Sequence, residues 1–168
     1  MAGHSFPLNI TCERTLGFGS SAYVFLIDDE IALKTPGRFT KKTPMTKERT
    51  ERLRDSLRSV EREKGIYELI DPHPHPNILQ SIRHGPEGIF MARHGKILQE
   101  IIAKQESTEP LRLRWAREII AGAAWLEKLG LAHGDLRPSN ILVDSSGLLK
   151  LSDFGATVKI GEELMAFT

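Results

Sequence analysis

The chain has one cysteine, Cys12, in 168 residues. It therefore cannot close an internal disulfide or build a cysteine-based zinc site, which fits a reducing compartment. It also lacks a dominant charge: 23 Lys and Arg nearly cancel 22 Asp and Glu. No chain-wide field exists for gripping nucleic acid or anionic lipid, so neither a nucleic-acid nor a membrane partner is expected. No apolar run reaches the roughly 18 residues of a membrane span. The opening MAGHSFPLNI lacks the basic start and apolar stretch of a secretory signal. These absences predict a soluble, intracellular protein of the cytoplasm, in which the formal glycosylation triplet Asn9-Ile10-Thr11 is incidental. There is no internal repeat or low-complexity tract. With 40% hydrophobic and 27% charged residues, the composition is that of one ordinary globular domain and excludes collagen, coiled coil and wholesale disorder.

Along the chain, Ala22 to Ile27 is β-branched and aromatic, Asp28-Asp29-Glu30 is turn-like, and Ile31 to Lys34 resumes the strand pattern. This predicts a hairpin. Pro36, Gly37 and Pro44 break the chain before a charged segment with apolar residues at helical spacing, so a long helix is expected from about Thr46 to Ile70. The Pro-His repeat at 71–76 ends it. Two short strands follow around Gly85 to Gly88, then a short helix near Ile97 to Ile102. A longer helix, with Pro110 in its first turn, is stopped by Gly130. Strands with one helix among them, followed by helices, suggest an α+β fold of two lobes meeting near residues 90–95.

Three groups of residues carry candidate chemistry. Gly17-Phe18-Gly19-Ser20-Ser21-Ala22 is glycine-rich but is followed by a strand, so it cannot set a phosphate on a helix N-terminus as a dinucleotide fingerprint does. A turn between strands can instead offer backbone N–H groups to phosphates. Lys34 shares a strand face with Ala32. On a helical wheel with Val60 at zero, Leu53, Leu57 and Tyr67 fall at about +20°, +60° and −20°. Glu63 falls at about −60°, inside that apolar arc, whereas Glu61 at about +100° lies outside it. A carboxylate on a buried stripe needs a partner, and a strand lysine would supply one. Finally, Asp135, Asn140 and Asp153 put two carboxylates and an amide oxygen around a predicted hairpin at 141–151. These are the hard oxygen ligands and base that magnesium-assisted phosphoryl transfer needs.

Together these elements resemble a eukaryotic protein kinase, in kinase order. The Gly-rich loop is matched by Gly17 to Val24, the strand lysine by Ile31-Ala-Leu-Lys34 and the helix glutamate by Glu63. The catalytic loop is matched by His133-Gly-Asp-Leu-Arg-Pro-Ser-Asn140 and the magnesium motif by Asp153-Phe-Gly155. The resemblance implies a lead at 1–12, a complete small lobe at 13–92 and a partial large lobe at 93–168. It implies that ATP and Mg2+ are bound and that the γ-phosphoryl passes to a protein hydroxyl. Lys34 would hold the α and β phosphates and Glu63 would hold Lys34. Asn140 and Asp153 would bind magnesium, Asp135 would accept the hydroxyl proton, and Arg137 would neutralise the phosphoryl group. Leu16, Val24, Ala32 and Leu142 would enclose the adenine, with Gly17, Phe18, Gly19, Ser20, Ser21 and Ala22 over the phosphates and the hinge near Phe90 to Arg93.

The chain also departs from the family pattern. Ala22 replaces the third loop glycine, adding one methyl. Gly134 stands where many kinases carry the arginine that receives a phosphorylated activation loop. Arg137 stands where Ser/Thr kinases usually carry lysine and some Tyr kinases carry arginine, whereas Pro138 fits the Ser/Thr pattern, so Ser/Thr specificity is expected. The sequence stops at Thr168, soon after Asp153-Phe-Gly155. The reading is therefore of a truncated kinase domain, expected to be a poor enzyme and marginally folded by itself. The alternative is a non-catalytic kinase-like nucleotide-binding or scaffold module. Pro36 to Arg58 holds eight Lys or Arg against three acids, which could dock an acidic partner but more simply marks a solvated face. His73 and His75 share no regular element with other metal ligands.

Overall fold

The β-branched run after residue 21 is a strand in the computed structural model of the chain, which describes residues 15–18, 22–37, 46–105 and 107–163. The predicted lead 1–12, with Cys12, lies outside the described residues. The chain divides into two compact units, 1–61 with 81–93, and 62–80 with 94–168. With a sheet and the start of a long helix in one and helices with short strands in the other, the fold is α+β.

The first unit is built on a five-stranded antiparallel sheet in the order β1-β2-β3-β5-β4. Its strands are β1 (Thr15–Phe18), β2 (Ala22–Leu26), β3 (Ile31–Pro36), β4 (Ser81–Gly85) and β5 (Gly88–Ala92). The acidic turn between β2 and β3 is closed by Asp28, whose Oδ1 accepts the N–H groups of Glu30 and Ile31 at 2.8 and 2.7 Å. Tyr23 and Phe25 stack at 6.1 Å, and the Arg83 guanidinium lies 4.2 Å over the Phe90 ring.

The long helix α1 (Lys47–Ile70) begins where Thr46 Oγ1 accepts the Arg49 N–H at 3.3 Å. Its face differs from the expectation at one leucine. Ser56, Ser59, Val60, Glu63, Lys64, Ile66, Tyr67 and Ile70 are buried, while Leu57 is 44% exposed. On the same wheel the buried arc runs from about −120° to +40°, so Leu57 at about +60° falls outside it. Ser56 can be buried because its hydroxyl accepts the Gly37 N–H at 2.6 Å.

In the second unit the C-terminal part of α1 is joined by β6 (Lys96–Ile97), α2 (Leu98–Ala103), α3 (Glu109–Lys128) and β7 (Leu131–Ala132). β8 (Ile141–Val143), β9 (Leu149–Leu151) and β10 (Val158–Lys159) follow. β6, β8 and β9 form one small sheet, and β7 with β10 another. Asn77 ties the turn after α1 to β9: its Nδ2 donates to the Leu149 carbonyl at 3.0 Å, and its carbonyl accepts the Leu151 N–H at 2.8 Å. Ile78, Leu126, Leu131, Ile141, Leu149, Leu151 and Phe154 make the core. Helix α3 buries Trp115 and Leu126 but leaves Leu113 and Ile120 at 55% and 65% exposed. An apolar cavity of about 750 Å3 lies against it, lined by Leu98, Ile102, Trp115, Ile119, Leu136 and Ile141 among others. Among the described residues no helix is long and apolar enough to cross a membrane.

Gly88 decides how closely β5 can approach β3. Its φ is +140°, and a Cβ there would collide with the carbonyl oxygen of Lys34. Gly88→Ala is therefore expected to destabilise the protein by about 3 kcal/mol or more, strain and overpacking together. Denaturant unfolding monitored by circular dichroism checks this; a loss under about 1 kcal/mol would show that the hairpin moves freely.

Candidate active site

The predicted site residues fall in both units. In the first, the register pairs Ala22 with Pro36, Val24 with Lys34, Leu26 with Ala32, and Lys34 with Ile89. Directly paired residues share a sheet face, and i, i+2 residues do too. Ala22, Val24, Ala32 and Lys34 therefore lie on one face. Ala32 and Lys34 are buried at 4% and 7% exposure. Of the Gly-rich turn, Leu16, Gly17 and Phe18 belong to β1, which pairs Gly17 with Val24 and Phe18 with Tyr23. Gly19, Ser20 and Ser21 lie outside the described residues. The expected hinge is partly strand, since Phe90 to Ala92 are in β5 and Arg93 donates its N–H to the Glu30 carbonyl at 2.7 Å.

In the second unit the catalytic-loop residues converge around Asn140. Its Nδ2 donates to the Asp135 carbonyl at 2.9 Å and to Asp135 Oδ2 at 2.8 Å. Arg137 Nε reaches the same Oδ2 at 3.2 Å, with the guanidinium largely exposed. The backbone carbonyl of Asn140 accepts both the N–H and the hydroxyl of Ser152, at 3.0 and 2.9 Å. That fixes the residue before Asp153. Asp153 has φ +63° and ψ +69°, a left-handed conformation uncommon for a non-glycine residue, and caps a 3-10 turn at Phe154–Ala156. Glu63, 1% exposed, accepts the Phe154 N–H at Oε1 at 3.3 Å. Leu142 alternates with the buried Ile141 and Val143 in β8, so it faces the opposite side of the strand.

Beneath this loop lies an aromatic layer. Phe154 meets Tyr67 edge-on at 5.5 Å and His133 at 5.4 Å. The Tyr67 hydroxyl is pushed well above its usual pKa, chiefly by burial and then by Glu63, Asp71 and Asp153. His133 Nε2 donates to the Ser152 carbonyl at 3.0 Å, and Nδ1 accepts the Asp135 N–H at 3.4 Å. Acceptance at Nδ1 requires the neutral ring with its proton on Nε2. Burial lowers its pKa more than the Ser152 carbonyl, Asp153 and Asp135 raise it. Gly134 has φ +80°, a conformation glycine takes without strain.

Magnesium suits this donor set. With its amide hydrogens committed to Asp135, Asn140 is left with an amide oxygen that accepts only a long 3.4 Å bond from Ser139. Asp153 adds a carboxylate. One carboxylate and one amide oxygen are the sparse, hard ligation magnesium takes when phosphates and waters complete its shell. Elsewhere, His75 Nδ1 accepts the Asn77 N–H at 3.2 Å and its ring lies 5.6 Å from Trp125, a structural role. On α1, Arg52 pairs with Glu48 at 2.7 Å and Arg58 with Asp55 at 3.6 Å, so the basic stretch carries part of its own counter-charge. Residues 38–45 of that stretch lie outside the described residues. Sequence reading missed Ser152 and Asn77, whose roles depend on backbone groups far away in the chain; only their positions beside Asp153 and after the Pro-His repeat hinted at them.

The chain matches the protein kinase domain family model over residues 10–166. It is 38% identical to mitogen-activated protein kinase kinase 10 of Arabidopsis thaliana over 63 residues, 38% of this chain and 21% of that protein. It is 36% identical to maternal embryonic leucine zipper kinase of Xenopus laevis over 91 residues, 52% of this chain and 14% of that protein. With "Probable serine/threonine-protein kinase fhkD" of Dictyostelium discoideum it shares 31% over 112 residues, 60% of this chain and 15% of that protein. The chain thus spans about a fifth or less of the length of these curated relatives.

The lowered pKa of His133 makes stability depend on pH. Between the folded and the unfolded value, usually about 6.5, the unfolded chain binds the extra proton, so stability falls as pH falls through that window. Acidifying from about pH 7.5 to 5.5 is expected to lower the melting temperature of the wild type more than that of His133→Asn. Equal pH slopes in the two proteins would show that the His133 ring protonates in the fold without penalty.

Proposed function

Because the chain belongs to the protein kinase domain family, we propose that it binds ATP with Mg2+ and transfers the γ-phosphoryl group to a protein hydroxyl, serine or threonine rather than tyrosine. The observation that carries this reading is the paired hold of Asn140 and Arg137 on one oxygen of Asp135. It orients a carboxylate whose other oxygen, Oδ1, makes no hydrogen bond among the described residues. That oxygen is the base. Asp135 takes the proton of the attacking hydroxyl as its oxygen bonds to the γ-phosphorus and the bond to the β-phosphate bridging oxygen breaks, releasing ADP. Arg137 uses Nε on Asp135, so its terminal nitrogens are available to the phosphoryl oxygens, where a planar guanidinium binds well. Lys34 holds the α and β phosphates from β3, and Asn140 and Asp153 hold the metal. Magnesium, when bound, neutralises charge on the phosphates. The serine/threonine-protein kinase name of the Dictyostelium discoideum relative and Pro138 support Ser/Thr specificity.

Nucleotide binding tests the platform. Lys34→Met and Glu63→Gln are each expected to weaken Mg·ATP binding measured by calorimetry, and unchanged affinity in both would remove them from the site. Turnover tests the base. In a form of the protein with measurable peptide phosphorylation, Asp135→Asn should reduce kcat by about 10² to 10⁴, equivalent to about 3 to 5 kcal/mol of barrier, with little change in nucleotide affinity. Near-normal turnover would assign the proton transfer to another group.

A further inference from the structure

Asp153 holds a left-handed backbone that costs a non-glycine residue about 1 to 3 kcal/mol and persists only where its surroundings over-determine it. Two consecutive side chains of α1 supply such a constraint. Glu63 Oε1 accepts the N–H of Phe154, just after Asp153, at 3.3 Å. Arg62 Nη1 donates to the carbonyl oxygen of Gly155 at 3.3 Å. The carboxylate takes the donor and the guanidinium takes the acceptor, so the Phe154–Gly155 segment is gripped at both ends by groups of matching polarity. Arg62 is half-buried, which shields this bond from water and strengthens it.

We propose that Arg62 is a positioning residue for magnesium: its hydrogen bond to the Gly155 carbonyl holds Asp153 in the left-handed conformation that presents its carboxylate to the metal. The inference rests on the reading of Asp153 as a metal ligand. Arg62 touches neither nucleotide nor metal in this account. Its loss should leave metal-free nucleotide binding intact and weaken only the increment that magnesium adds. An arginine serving α1 alone would lower thermal stability without changing that increment.

The experiment is calorimetric titration of a non-hydrolysable ATP analogue into the whole chain, once with Mg2+ and once with a chelator, for wild type, Arg62→Ala, Arg62→Lys and Arg62→Met. The readout is the ratio of the two affinities. In Arg62→Ala the magnesium enhancement is expected to fall by about 3- to 10-fold, less than the ~10- to 100-fold of a group bonded directly to a metal ligand. Metal-free affinity should be unchanged, and Arg62→Lys, which keeps a cationic donor, should recover part of the loss. Arg62→Met keeps the apolar stem and replaces the alanine variant if that variant does not fold. Full enhancement in Arg62→Ala or Arg62→Met overturns the inference and leaves the functional reading standing, as does an equal loss with and without the metal. A wild type whose nucleotide binding ignores magnesium overturns the functional reading itself.

Discussion

One carboxamide organises the second unit. Asn140 donates to both the backbone and the side chain of Asp135, and its own carbonyl takes the two donors of Ser152. Through Asn140, four hydrogen bonds therefore join the loop that carries Asp135 to the strand end that carries Asp153. Because two of these bonds use the amide nitrogen and two the backbone carbonyl of Asn140, the amide oxygen stays available for a cation. Aspartate could not do this: it has no donor for the Asp135 carbonyl and would set a second charge 2.8 Å from the first. Asn140 and Ser152 are both buried, where hydrogen bonds between polar groups are strengthened.

The same economy of partners governs the other buried charges. Glu63, almost wholly enclosed, receives the Phe154 amide, so the carboxylate that the helical wheel placed on the inner face is also part of the frame around Asp153. Below it, Tyr67, Phe154 and His133 form a continuous aromatic layer, and the neutral His133 ring carries the Ser152 carbonyl on one nitrogen and the Asp135 amide on the other. Ser152 thus engages Asn140 through its N–H and hydroxyl and His133 through its carbonyl. In the first unit, the backbone of β3 is approached by β5 so closely at Lys34 that only a glycine fits at position 88.

Much of this was legible from residue order alone. Element types and spans followed from local chemistry: the β-branched run and Asp28 turn gave the β2-β3 hairpin, the Pro-His repeat ended α1, and Pro110 and Gly130 bracketed α3. The inward direction of Glu63 followed from helical geometry, because a carboxylate at that angle shares the stripe of Val60 and Tyr67. The wheel misplaced Leu57, since it counted only apolar residues, and the inner face of α1 is completed by Ser59 and by Ser56, whose hydroxyl accepts the backbone N–H of Gly37. Arg62 was invisible for a similar reason. Its partner is a backbone carbonyl 93 positions away, and a carbonyl leaves no mark on the sequence. Gly88 read as an ordinary turn residue because its constraint lies in the neighbouring strand.

The central claim is that Asn140 and Asp153 are the protein's donors to a nucleotide-bound divalent cation, with Asn140 oriented by Asp135. Electron paramagnetic resonance of Mn2+ with ATP, counting protein-bound manganese in the wild type, Asp153→Ala and Asn140→Ala, tests it most directly. The account predicts saturable, nucleotide-dependent binding in the wild type, abolished in Asp153→Ala and weakened by about 10-fold or more in Asn140→Ala. Manganese bound equally by all three proteins would contradict it.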